Sequence, residues 1–147
     1  LGQWLGLSES AEALVRRSRA QLASFRRPPQ GQRVLLLSNS MAGAVDNLTL
    51  DCLEHLGLRS ALPRSAGYLP LGGEALLALD PELIILGSDV PEPRWLQAGE
   101  SSPSALPVGL LSAAQRGRVL LAPEAALASM TYHALELCGR IAERLSP

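Results

Sequence analysis

The side chains able to do chemistry fall into three groups, each after a short apolar run. Ser38 closes RVLLLS, and Asn39, Ser40 and Met41 follow it. Ser88, Asp89 and Trp95 follow LIILG, and Glu124, Ser129 and Tyr132 follow VLLA. Hydroxyls, amides and carboxylates with one large aromatic suit a wall that hydrogen-bonds a ligand and stacks on it. Taken singly, each is also an ordinary surface residue. A Ser-His-Asp site is the catalytic alternative. No G-x-S-x-G elbow surrounds Ser38 or Ser40, and His55 and His133 sit in helical segments with no evident aim at them. Gly72-Gly73 lacks the Lys-Ser/Thr of a phosphate loop. Asp89 is a candidate for direct zinc or manganese binding, but no second ligand at clear spacing accompanies it.

The elements that must position these residues are legible from periodicity. Residues 8–27 carry apolar positions at Ala11, Leu14, Val15, Leu22 and Phe25, the stripe of an amphipathic helix, stopped by Pro28-Pro29. RVLLLS (33–38), LIILG (83–87) and VLLA (119–122) are continuous apolar runs, as strands covered on both faces are. Helices are expected over about 46–57, 74–79, 108–115 and 127–145, with loops over 58–73 and 88–106. Buried strands alternating with helices define an α/β domain with a mostly parallel sheet in three layers. Ligands of such sheets gather at the carboxyl ends of the strands, where the three groups lie.

A chain of 147 residues, 47% apolar, is long enough for one domain with its own core. Its net charge is −1, so no general attraction to nucleic acid is expected, and Arg16, Arg17 and Arg19 read as a solvated helix face. No apolar run has the length of a membrane span. Residues 1–7 lack the charged region and cleavage site of a leader.

The order of these segments resembles the second half of the periplasmic binding proteins for cobalamin, haem and ferric siderophores. LGQWLG with SAEALVRRSRAQLASF is similar to the opening of that family's long interlobe helix. RVLLLSNSMAGAVDNLTLDCLEHLGL is similar to the first strand, ligand loop and helix of its second lobe. GYLPLGGEALLALDPELIIL resembles its most recognisable stretch, a Glu-led short helix, an acidic-Pro corner and a buried strand. LPVGLLSAAQRGRVLLAP and TYHALELCGRIAERLSP resemble its closing elements.

The resemblance implies an interlobe helix over 1–29 and a C-terminal lobe over 30–147, with the N-terminal lobe absent. It implies an ABC-importer component outside the cytoplasmic membrane, periplasmic or lipid-anchored, with no catalysis. The ligand is a metal chelate or tetrapyrrole-like cofactor such as a ferric siderophore, cobalamin or haem. The ligand side chains would be Ser38, Asn39, Ser40, Met41, Ser88, Asp89, Trp95 and Glu124. Glu74 would point at the permease. The missing lobe, or a second copy of the chain, would cover the stripe of the first helix. Alternatives are a direct zinc/manganese carrier and a flavodoxin-like enzyme or signalling domain. In an oxidising compartment Cys52 and Cys138 form a disulfide or stay as two buried thiols; both readings are open here.

Overall fold

The computed structural model describes residues 6, 8–26, 31–38, 41–43, 48–62, 68–89, 107–127 and 132–145. Its elements are α1 (Ser8–Ser24), β1 (Arg33–Ser38), β2 (Met41–Gly43), α2 (Leu48–His55), β3 (Arg59–Ser60), β4 (Tyr68–Pro70), α3 (Gly73–Leu79) and β5 (Leu83–Gly87). A 3-10 turn (Val108–Leu110), α4 (Ser112–Gln115), β6 (Val119–Ala122), α5 (Glu124–Leu127) and α6 (Tyr132–Leu145) follow.

The three apolar runs are the three parallel strands expected. They lie side by side in the order β1, β5, β6, with Leu36 opposite Ile85 and Ile85 opposite Leu120. Because side chains alternate across a strand, each run feeds two cores. Val34, Leu36 and Ile85 meet Leu53 of α2, Leu56 just after it, and Leu137 and Ile141 of α6 on one face. Leu35, Leu37, Ile84 and Leu86 meet Leu76, Val108 and Leu111 on the other. Each such side chain removed from water contributes about 1.5–3 kcal/mol before entropy is charged against it. This two-sided cover is why the runs lack polar alternation.

Three short strands fall where loops were expected. Residues 38–44 are not all loop, because β2 folds back antiparallel on the end of β1, with Ser38 opposite Met41. Within 58–73, β3 joins the start of β1 in parallel and β4 pairs β2. Strands of two or three residues carry no periodic signal, and neighbouring backbone alone creates them. The helix expected over about 127–145 is present as α6 (Tyr132–Leu145), with the short α5 (Glu124–Leu127) before it, and that over 108–115 is a 3-10 turn followed by α4.

Helix α2 lies against α6, and the structure pairs the sulfurs of Cys52 and Cys138 across them, Cα atoms 6.2 Å apart. That Cα separation is normal for a bridge.

Helix α1 has no buried residue. At its end, Phe25 packs beneath α6, its ring 3.1 Å from where a Cβ on Gly139 would stand. Upstream on the same stripe, Leu14 is 59% and Val15 48% exposed. The stripe is covered by this domain only at its C-terminal end. An Arg16–Glu12 pair at 3.6 Å decorates the opposite, solvated side and contributes little.

Candidate functional site

The parallel strands bring the candidate side chains together at their carboxyl ends. Ser38 ends β1, Glu124 opens α5 directly after β6 and Pro123, and Asp89 lies two residues past β5. Sheet order puts β5 between β1 and β6, so Ser38 and Glu124 approach each other over the end of β5. There the Ser38 hydroxyl donates a short hydrogen bond to the Glu124 carboxylate, between residues 86 apart in sequence. The Glu124 backbone N–H faces Asp89 Oδ1 at 3.4 Å. The Ser88 N–H donates to the Ala122 carbonyl at 2.8 Å, extending the ladder one step past β5 and holding the loop beside Glu124.

Gly87 makes this possible. A Cβ there would stand 2.6 Å from both Glu124 carboxylate oxygens, inside any real contact distance. Only a bare backbone lets the carboxylate lie over β5 and reach Ser38. Sequence reasoning missed this glycine, because the need for it comes from a side chain 37 positions away (124 − 87). Replacing it with alanine is expected to swing Glu124 aside and break the Ser38 bond. A hydrogen bond to a charged group is worth about 1.5–3 kcal/mol, so Gly87→Ala should lower stability by no more than that. Denaturant unfolding measures it; an unchanged midpoint would show that Glu124 does not need the space.

Met41, the partner of Ser38 in β2, is half-buried at the margin of this cluster. Asn39, Ser40 and Trp95 lie outside the described residues. Ser38, Ser88, Asp89 and Glu124 are therefore gathered, and the cluster can accept and donate hydrogen bonds to a ligand lying across the strand ends. Among the described residues no group of three or more His, Cys, Asp or Glu side chains could hold a metal ion.

Glu74 lies apart from the cluster. It is exposed in the first turn of α3, where a carboxylate favours the helix dipole. Leu76 is fully buried and, with Leu79 packed beside it, anchors the helix, whereas Leu77 is 42% exposed. Gly72 has an ordinary extended backbone, φ −77°. Gly73 matters for contact instead, since a Cβ there would stand 3.2 Å from the Pro107 ring.

The Asp80-Pro81 corner that ends α3 is tied at several points. Asp80 adopts a left-handed backbone, φ 32°, which Asp tolerates better than most residues. Its carboxylate accepts hydrogen bonds from the Ser112 N–H and hydroxyl, both at 3.2 Å. The Arg33 guanidinium donates to the Leu79 and Asp80 carbonyls at 3.1 and 2.9 Å, and the Arg33 N–H to Glu82 at 2.7 Å. These contacts fix the direction of α3, and so of Glu74, on the sheet.

A mostly parallel sheet with helices on both faces, polar side chains at its strand ends and a projecting first helix has the fold of one lobe of a periplasmic binding protein. Comparison with solved structures agrees. The periplasmic haem-binding protein HutB of Vibrio cholerae superposes with a TM-score of 0.72 at 18% identity, over 99% of this chain and 60% of that one. An Fe3+-hydroxamate ABC transport protein of Saccharomonospora viridis gives 0.76 at 16% identity, over 99% and 53%. A periplasmic haem-binding protein of Pseudomonas aeruginosa gives 0.67 at 24% identity, over 98% and 56%. The chain thus spans between 53% and 60% of the length of these structures. No protein-family model and no curated protein matches it.

Proposed function

We propose that this chain is the C-terminal lobe of an extracytoplasmic substrate-binding protein that delivers an iron chelate or haem-like ligand to an ABC permease. The observation that carries the proposal is the convergence of Ser38, Asp89 and Glu124 at the strand ends of a lobe with this fold. Residues 1–29, which include α1 (Ser8–Ser24), act as the connection between lobes, and residues 30–147 as one wall of the cleft. Ser88 and the Met41 thioether add to this wall, and the roles proposed for Asn39, Ser40 and Trp95, which lie outside the described residues, are hydrogen bonding for the first two and stacking on a planar or macrocyclic ligand for the third. Neighbouring folds named for haem and for Fe3+-hydroxamate support this ligand class. They are named as binding and transport proteins, which lends no support to a flavodoxin-like enzyme. A direct zinc or manganese carrier would need its ligands from elsewhere, since the described residues gather no such set. The protein works outside the membrane, held there by a lipid anchor or free; no helix among the described residues is long and apolar enough to cross it.

One wall supplies about half of the contact a small ligand relies on, so the lobe alone binds weakly. Titration of the monomeric chain with haem and with a ferric trihydroxamate, followed by visible absorbance and tryptophan fluorescence, should give saturable binding weaker than about 10 μM. Oligomeric state must be measured in the same sample. Sub-micromolar binding by a verified monomer would contradict the half-site, and no binding of either chelate would contradict the proposed ligand class.

A further inference from the structure

The opposite end of the sheet holds a feature that the chelate cleft does not use. Among the described residues strand β6 is an edge of the sheet, hydrogen-bonded to β5 alone. The carbonyls of Arg118 and Ala122 accept from Ile84 and Ser88 on the β5 side. A residue's N–H and C=O point the same way in a strand, so those of Val119 and Leu121 point outward, toward the open edge. Val119, Leu120 and Leu121 are all only half-buried. Beside the start of this edge lies a depression of about 220 Å³, walled by Leu83, Val119, Leu120 and Leu145. Two guanidinium side chains line it, Arg118 just before β6 and Arg144 in the last turn of α6. Both arginines are exposed, and among the described residues neither forms an ion pair.

An open edge offers backbone hydrogen bonds, a partly apolar trough, which Gln32 also lines, offers side-chain burial, and paired guanidinium groups offer bidentate recognition of a carboxylate. Together they match one kind of ligand. We propose that β6 accepts the free C-terminus of an extended peptide segment of a partner protein, added as a further strand. The carboxylate sits at Arg118 and Arg144. The preceding residues run along Val119 to Leu121, so the peptide is antiparallel to β6. Its last side chain, a β-branched or other aliphatic one, fills the trough.

The test uses the whole chain and the tetrapeptide acetyl-Ala-Val-Thr-Val, with its C-terminus either free or amidated. Acetyl-valine serves as the small-acid control. The free acid should bind at least about tenfold more tightly than the amide. It should also slow amide hydrogen exchange at Val119 and Leu121, which a purely ionic contact would not do. Arg118→Ala with Arg144→Ala should lower affinity by a similar factor while the melting midpoint stays put, since both side chains are exposed. Equal affinity for the amide, equal affinity for acetyl-valine, unchanged exchange at both amides, or no binding of the tetrapeptide at millimolar concentration would each overturn the proposal.

Discussion

In a two-lobed protein carrying this chain, Glu74→Arg is expected to abolish most transport and permease association while leaving ligand affinity within about twofold. Glu74 is exposed on α3, which Leu76 anchors in the core and Asp80, Arg33 and Ser112 hold in direction. It lies on a different element from Ser38, Asp89 and Glu124. A carboxylate presented so rigidly suits pairing with an arginine on the permease, which sets orientation and on-rate more than affinity. Reversing its sign turns attraction into repulsion, and mismatched charges across an interface cost several kcal/mol, or on the order of a hundredfold or more in association. Transport by proteoliposomes and pull-down of the permease read the effect. A loss of ligand affinity with docking intact would remove Glu74 from the docking surface.

Replacing both cysteines, Cys52→Ala with Cys138→Ala, is expected to cost roughly 3–5 kcal/mol, because a bridge spanning 86 residues restricts a long loop of the unfolded chain. In a domain of this size that is a fall in melting midpoint of roughly 6–20 °C. Both side chains are buried between α2 and α6, so a pair of reduced thiols would already pack well, and the two alanines would cost only a small cavity. Thiol counting in denaturant without reductant separates the cases. Zero free thiols are expected, in keeping with an extracytoplasmic protein. Two free thiols, with a small shift in midpoint, would contradict the bridge.

The architecture was legible wherever the hydrophobic signal was long. The runs 33–38, 83–87 and 119–122 declared doubly covered strands because no polar residue interrupts them. Strands β2, β3 and β4 were not legible, since Met-Ala-Gly, Arg-Ser and Tyr-Leu-Pro become strands only when β1 offers them a partner. The same division holds at the site. That Ser38, Asp89 and Glu124 share one end of the sheet followed from each standing at or just past the end of a strand. That Ser38 touches Glu124, and that Gly87 must therefore be bare, depends on β5 lying between β1 and β6. Strand order is set by packing of the whole domain, and no local pattern near residue 38, 87 or 124 encodes it. The Asp80 corner is similar: its helix-ending role was local and visible, while its partners Arg33 and Ser112 lie 47 and 32 residues away. The stripe on α1 was visible too, and its exposed half, Leu14 and Val15, is the surface that a second lobe would cover.

The central claim is that this domain is half of a chelate-binding cleft. Equilibrium titration of a ferric trihydroxamate and of haem tests it most directly, comparing the monomeric chain with a two-lobed protein that carries it as the second lobe. At least one chelate should bind the two-lobed form about a hundredfold or more tightly than the lone lobe, and Glu124→Ala should weaken binding to both forms. Equal affinity in the two forms, or binding in the two-lobed form that Glu124→Ala leaves unchanged, would contradict it.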